Sequence, residues 1–342
     1  MTDQSDRRTP FVLGKPIKNP ADFYGRVHVI QALFEAALNT ELVSVVGEHR
    51  CGNTSVLYQL LHEDVRQRYL TPKDDAKLVF AFVSCQLATE SPEAFYRRLA
   101  IALRRVDSEA ELEHGMSIDR VWIENYLESL VKRGQHLVLL LDEFEVIAKF
   151  EQSFWDWFQV LVTEYDVAII ASTRSDLSEF RAEHGGPAFF NLFRGVPIGS
   201  FSPDTVATFI KEKTELTDFD FAAVRDVIYD LAGRFPYYMQ VAAALFYLHA
   251  GGESHVTPAQ AQAVLQDFKS RTWTLFEDAW PKLPEIEREA LVWLAESGRR
   301  GDETEMRFAN ALESLERRGY VVDDHIFSSA FAEYVREHAA AG

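Results

Sequence analysis

Residues 47–55 read GEHRCGNTS and lie between the apolar run LVSVV and the helix-like stretch VLYQLLHEDV. Gly47, four residues, Gly52, one residue and then Thr54 is the spacing of a phosphate-cradling loop, in which backbone N–H groups wrap an anionic polyphosphate at a helix N-terminus. A strand must deliver the first glycine and a helix must begin just after the second, so the loop constrains the fold around it. Where such a loop carries lysine, this chain has Asn53. The bland alternative is a plain strand-turn-helix connection that uses two glycines for tight geometry.

From residue 21 to about residue 200, short β-rich apolar runs alternate with helical patterns. The strand candidates are ELVSVV (41–46), LVFAFVSC (78–85), HLVLLLD (136–142), VAIIAS (167–172) and GVPIG (195–199). Their apolarity is continuous rather than alternating, which suits strands buried on both faces. The segments between them, such as PEAFYRRLAIALRRV (92–106) and FWDWFQVLVTEY (154–165), repeat apolar residues every three to four positions and supply the cover. The pattern predicts an α/β fold with a parallel, helix-flanked sheet.

After FSPDT (201–205) the strand pattern stops. DFAAVRDVIYDLAG and PYYMQVAAALFYLHA predict a small helical domain, and residues 275–342 give helix, loop, helix, the turn RRGYVVDDHIF and a last helix. Two helices followed by a short GY-centred hairpin outline a winged-helix module. The expected domains are a lead segment over 1–20, a phosphate-loop core over 21–200, a helical lid over 201–272 and a winged-helix domain over 273–342.

LVLLLDEFE (137–145) delivers Asp142 and Glu143 at the C-terminal end of a buried strand. Open parallel sheets bind ligands just beyond the carboxyl ends of their strands, so Asp142 is expected to face the same crevice as the loop. There an aspartate can hold Mg²⁺ while Thr54 offers its hydroxyl oxygen, and Glu143 can orient an attacking water. Two acids after a strand more often cap the next helix; with the phosphate loop upstream, the nucleotide reading is preferred. ASTRSD (171–176) ends another strand candidate, and Arg174 there is either a cation near a terminal phosphate or an exposed loop arginine.

Composition removes other classes. A net charge of −18 over 342 residues repels phosphate backbones, so nucleic-acid binding would need a local basic patch, and none is obvious. Cys51 and Cys85 are too few for a disulfide framework and lack the paired spacing of a zinc site, which suggests a reducing compartment. The stretch MTDQSDRRTPFVLGKP lacks the apolar run of a signal peptide, and MQVAAALFYLHA (239–250) is shorter than a membrane span. A cytoplasmic protein without membrane attachment is expected.

The succession FYGR (23–26), GEHRCGNTS (47–55), LLLDEFE (139–145), ASTR (171–174), AFFNLFRGVPIGSFS (188–202), LAGRFPYYMQ (231–240) and a terminal winged helix resembles the STAND branch of the AAA+-like P-loop NTPases. These are signalling ATPases, many of them in bacterial and archaeal conflict and regulatory systems. The resemblance implies a sheet of order 5-1-4-3-2 and a site for ATP or ADP with Mg²⁺. It implies that Arg26 lies beside the base or ribose and that Gly47, Glu48, His49, Arg50, Cys51, Gly52, Asn53, Thr54 and Ser55 surround the phosphates. Asp142 and Thr54 would serve the magnesium, Glu143 the water and Arg174 the sensing of phosphate, and Pro236 would bring the lid against the nucleotide. Proline is also simply favoured in the first turn of a helix.

Two positions depart from that family's pattern. Val27 stands where an acidic residue usually follows the arginine, and Asn53 replaces the lysine whose ammonium lies against the β- and γ-phosphates. Asparagine can still donate a hydrogen bond, but a neutral donor contributes about 0.5–1.5 kcal/mol against roughly 1.5–3 for a charged one. Arg50 has the reach to substitute, although variable positions in such loops generally point away from the phosphates.

The expected function is a nucleotide-binding signalling switch or scaffold with weak nucleotide binding and little or no hydrolysis. A slow ATPase is the second reading, and a DNA-handling AAA+ initiator or loader the third. The helix that would enter a major groove, ETEMRFANALESLERR (303–318), carries more acids than bases, which opposes the third. No effector is recognisable in the chain, so the expected partner is a separate effector or regulatory protein, with Trp155 as a docking residue because Trp157 shares a helical stripe with Phe154, Phe158 and Leu161. Oligomeric state stays open, a homo-oligomer included, with Arg194 or Arg181 as residues that could act across its boundary.

Overall fold

The computed structural model describes residues 10–107, 110, 118–297 and 304–339. Residues 1–9 of the lead segment, and Glu303 at the start of the expected groove helix, lie outside them. The chain divides into two units, Pro16–Ile198 and Met1–Lys15 with Gly199–Gly342.

The first unit runs α1 (Val27–Leu38), β1 (Leu42–Val46), α2 (Asn53–Leu60), α3 (Glu63–Tyr69), α4 (Pro72–Asp75), β2 (Leu78–Ser84), α5 (Pro92–Val106), α6 (Arg120–Lys132), β3 (His136–Asp142), α7 (Gln152–Glu164), β4 (Ala168–Thr173), α8 (Leu177–His184) and β5 (Arg194–Pro197). The strands are parallel and lie in the order β2-β3-β4-β1-β5, the expected 5-1-4-3-2 read from the other edge. β4 is buried along its whole length and β3 everywhere except His136, which is why both read as unbroken apolar runs. Register then positions the site. Val46 pairs with Thr173 and Leu141 with Ala171, so the carboxyl ends of β1, β3 and β4 come level and Asp142 lies beside Ser172.

Trp155 is not a docking residue. It is 2% exposed, its Nε1 donates to the Phe150 carbonyl at 3.2 Å, and its ring packs on Phe144, Phe189 and Phe190. The short turn Ala188–Leu192 lays Phe189 and Phe190 over the side of α7 that a single apolar stripe leaves to solvent. The half-buried member of the pair is Trp157, whose Nε1 donates to Glu124 at 2.7 Å. Arg194 is occupied within its own unit by Glu41, at 2.8 Å.

The second unit contains α9 (Pro203–Thr217), α10 (Arg225–Ala232), α11 (Pro236–Ala250), α12 (Pro258–Ala279), α13 (Glu285–Ser297), α14 (Thr304–Arg318), β6 (Val321–Val322), β7 (His325–Ile326) and α15 (Ser329–Ala339). β6 and β7 pair antiparallel around Asp323 and Asp324, whose φ angles of 51° and 65° are both left-handed. A two-residue loop with both φ angles positive matches the twist of the strands it joins, and aspartate tolerates that region better than bulkier residues.

The boundary expected at 272/273 falls inside α12, which continues unbroken from Pro258 to Ala279. Phe268 packs on Tyr238 of α11, while Phe276, two turns further along, packs on Tyr238 and on Phe331 of α15. One aromatic core thus serves both expected domains. The lead segment divides as well, with residues up to Lys15 in this unit and Pro16 onward in the other. Among the described residues no helix is long and apolar enough to cross a membrane.

Because Phe268, Thr272 and Phe276 are buried and the helix between them is continuous, limited proteolysis of the native protein should leave residues 268–275 uncut. Early cleavage within that stretch, read by mass spectrometry, would show that α12 opens independently.

Candidate functional site

The loop between β1 and α2 is fixed at both ends. The Gly47 N–H donates to the Thr173 carbonyl at 3.1 Å, and the Cys51 N–H closes a turn on the Glu48 carbonyl at 3.0 Å. Arg50 and Gly52 carry the reversal in left-handed conformations, at φ 75° and 97°. A Cβ on Gly47 would fall 2.6 Å from Asn53 Oδ1 and 2.8 Å from the Ile198 carbonyl, so only glycine fits there. Gly52 caps α2 without a side-chain hydrogen bond, and the first-turn N–H groups of Asn53, Thr54 and Ser55 have no acceptor within the helix. Their partial positive charge makes this end of α2 receptive to an anion. His49 is exposed, Glu48 and Arg50 are half-buried and Cys51 is buried, its thiol pushed up to about 12 by burial.

Asn53 is committed elsewhere. Its Nδ2 donates to the Gly47 carbonyl at 2.6 Å and to the Thr173 carbonyl at 3.0 Å, clasping the first residue of the loop to the end of β4. Both amide hydrogens are spent on backbone. Its Oδ1 is buried and has no partner among the described residues. The side chain that replaces lysine therefore supplies structure to the loop rather than a donor to a ligand. The Ser55 hydroxyl is likewise occupied, accepting the Ile17 N–H at 3.0 Å.

Thr54 and Asp142 meet as the strand ends require. Thr54 Oγ1 lies 3.0 and 3.1 Å from the two Asp142 oxygens, and Ser172 Oγ donates to Asp142 Oδ1 at 2.6 Å. Burial raises the Asp142 pKa, and the Ser172 and Thr54 hydrogen bonds oppose it. Ser172 Oγ also accepts the Glu143 N–H at 3.0 Å, so one buried hydroxyl holds both acids. Glu143 has a left-handed φ of 55° and is half-buried; burial and the neighbouring Asp142 charge raise its pKa.

The next turn brings back a third acid. The 3₁₀ turn Phe144–Ile147 points Glu145 at β4, where its Oε1 accepts the Arg174 N–H at 3.3 Å and lies 4.0 Å from Arg174 Nε. Its Oε2 is buried with no partner among the described residues, and burial pushes this carboxyl up to about 7. Arg174 thus leans on Glu145 while also acting on the charge of Glu143.

Arg26 belongs to the same cluster. It follows Gly25 at the start of α1 with a φ of 63°, and its guanidinium is the neighbouring charge that opposes the upward shift of the Cys51 thiol. Burial lowers the Arg26 pKa. The structure therefore gathers Arg26, the loop, Thr54, Asp142, Glu143 and Arg174 in one unit. Pro236 opens α11 in the other unit.

Ser172 and Glu145 were not singled out from the sequence. ASTR shows a polar pair at a strand end, but only the register of β3 against β4 places Ser172 rather than Thr173 next to Asp142. Glu145 is plainly visible in LDEFE, yet its role depends on a turn whose first residue is a left-handed glutamate.

A family model described as Novel STAND NTPase 2 matches residues 37–257, more than half of the chain. Among solved structures, the chain resembles the Walker-type ATPase PABY2304 of Pyrococcus abyssi at a TM-score of 0.61 and 15% identity, covering 94% of this chain and 99% of that one. It resembles Aeropyrum pernix ORC2 in its ADPNP–ADP complexes at a TM-score of 0.60 and 13% identity, covering 98% and 96%. It resembles Drosophila ORC bound to DNA at a TM-score of 0.50 and 13% identity, covering 94% and 88%. No curated protein sequence matches. At these identities the likeness is one of fold.

Two consequences of the geometry are measurable. Asn53→Ala removes the clasp on Gly47 and Thr173 and should destabilise the first unit by about 1–2 kcal/mol, read by chemical denaturation; an unchanged midpoint would mean the clasp is idle. Glu145 holds its proton more tightly folded than unfolded, so stability should fall as pH rises from the ordinary carboxylate range toward 7 and level off above it. Glu145→Gln should flatten that fall by roughly 3 kcal/mol in denaturation free energies collected across pH, whereas an unaltered pH profile would place the titration elsewhere.

Proposed function

The chain belongs to the Novel STAND NTPase 2 family, and from that membership and the geometry of the loop we propose that it is a nucleotide-binding switch or scaffold that hydrolyses ATP slowly or not at all. The observation that carries the second half is the double donation of Asn53 to the Gly47 and Thr173 carbonyls, which leaves the loop without either a charge or a free amide hydrogen at the lysine position.

The donors present suit Mg²⁺ with ATP or ADP. Thr54 and Asp142 offer hard oxygens within 3.0–3.1 Å of each other, and the open first turn of α2 leaves backbone N–H groups for phosphate oxygens. When bound, the metal would neutralise charge between the phosphates. Of this chain's own groups, Glu143 is the candidate to hold the proton of an attacking water, and Arg174 the cation to meet the terminal phosphate once it leaves Glu145. Arg26 would lie against the base or ribose. The ground state keeps most of its recognition through backbone. The transition state develops charge that the loop's missing cation would have met, so turnover suffers more than binding.

A slow ATPase is the second reading, supported by the intact constellation of Asp142, Thr54 and Glu143. A DNA-handling role has less support. On α14 the bases Arg307 and Arg318 are paired with Glu289 and Glu287, whereas groove reading begins from a free basic face. If the helix-helix-hairpin-helix segment is a winged helix, it suits protein contact better, and we place the protein in the cytoplasm with a separate effector or regulatory partner, as in bacterial defence or regulatory systems.

The test is calorimetric titration of ATP and measurement of phosphate release on wild type, Asn53→Lys and Glu143→Gln. Wild type should bind at micromolar strength or weaker, with release near background. Asn53→Lys should tighten binding about tenfold, equivalent to ~1.4 kcal/mol, and make release measurable. Brisk hydrolysis by the wild type that Glu143→Gln abolishes would establish the enzyme instead, and absence of nucleotide from both wild type and Asn53→Lys would leave a structural adaptor.

A further inference from the structure

The lead segment is fastened at two places. Upstream, Phe11 is buried among Phe209, Phe221 and Tyr247, at ring-centroid distances of 6.4, 5.6 and 6.3 Å, and the buried Lys213 ammonium donates to the Pro10 carbonyl at 3.1 Å. All of these belong to the second unit. Downstream, the Ile17 N–H donates to Ser55 Oγ at 3.0 Å, the Ile17 carbonyl accepts from Gln59 Nε2 at 3.0 Å, and Lys18 Nζ lies 4.4 Å from the centre of the Tyr58 ring.

Ser55, Tyr58 and Gln59 form one face of α2, the helix whose first turn closes the phosphate loop. Between Phe11 and Ile17 the chain can extend at most about 20 Å. The other passage of the chain from unit to unit also leaves from the loop. The Ile198 N–H donates to the Val46 carbonyl at 2.7 Å, and the Ile198 carbonyl is the group that a Cβ on Gly47 would strike.

We propose that residues 10–19 are a coupling strap, in which the seating of Phe11 in the helical unit and the order of α2 behind the phosphate loop form one linked equilibrium. Two backbone hydrogen bonds from Ile17 hold only while the segment on either side of it is ordered, so unseating Phe11 raises the entropy that those bonds must overcome. Linkage is reciprocal, and whatever orders α2 favours the seated strap. The contribution of nucleotide to that equilibrium rests on the function proposed above; the coupling itself does not.

Hydrogen exchange on the full-length, nucleotide-free protein tests it. Phe11→Ala should speed exchange of the amides of residues 56–60 about threefold, in addition to those around Phe209 and Tyr247. A Gly-Ser insert of roughly six residues between Leu13 and Gly14 leaves both anchors seated but slack, and in that background Phe11→Ala should no longer reach α2. Exchange in α2 that ignores Phe11→Ala, or responds equally with the insert present, overturns the strap. Should Phe11→Ala fail to fold, Phe11→Leu retains apolar burial and makes the same comparison. With ATP added, exchange at residues 11–13 should slow in wild type and not in the insert variant. Calorimetry run alongside separates the two ideas: no heat of ATP binding removes the nucleotide reading, while the nucleotide-free comparison still decides the strap.

Discussion

The Asp142 carboxylate accepts hydrogen bonds from two hydroxyls that arrive on different elements, Thr54 on α2 and Ser172 on β4. It is itself the last residue of β3, so three elements converge on one buried anion. Burying a carboxylate is costly unless its lone pairs are occupied, and the residual rise in its pKa shows that the two donors offset only part of that cost. The arrangement persists because the parallel register already holds the strand ends level. The backbone ladder supplies the placement, and the hydroxyls supply the chemistry that makes the placement tolerable.

Asp142, Glu143 and Glu145 all have raised pKa values, each chiefly through burial, and the nearby cations include Arg174, partly engaged by Glu145, Arg26, partly desolvated beside Cys51, and the half-buried Arg50 of the loop itself. A lysine at position 53 would add a further cation between the acids and a bound polyphosphate. Asn53 adds none, and its donors face the backbone. The deficit at position 53 is therefore electrostatic rather than geometric: the loop keeps its shape without a cation at that position.

Most of the sheet was legible because β3 and β4 are covered on both faces, and unbroken apolar runs that recur between helical stretches mark strands buried in that way. The phosphate loop and the acid pair were legible for a related reason, since each sits at the end of such a strand. What escaped depended on tertiary partners. Trp155 points away from the stripe of Phe154 and Phe158, yet a second aromatic layer from residues 188–192 buries it, which helical spacing cannot foresee. Nothing in residues 258–279 marks a domain boundary or its absence; Phe268 and Phe276 are simply apolar until α11 and α15 are seen on either side. The Asn53 clasp was hidden because its acceptors are carbonyls, which have no signature in sequence.

That clasp changes what the lost lysine costs. A phosphate loop without its lysine would ordinarily be loosely held, with part of any binding energy consumed in ordering it. Here Asn53 ties Gly47 to β4, Thr54 is tied to Asp142, and Ser55 to Ile17, so the loop is already fastened by its own side chains. A ligand arriving at a preorganised loop has less ordering to drive, which offsets some of the missing attraction in the ground state. For the transition state the offset is smaller, because backbone dipoles can meet developing negative charge but no cation at position 53 adds to them. Under the proposed function, the same substitution would move binding and turnover by different amounts, and that difference would let the site hold a nucleotide without consuming it.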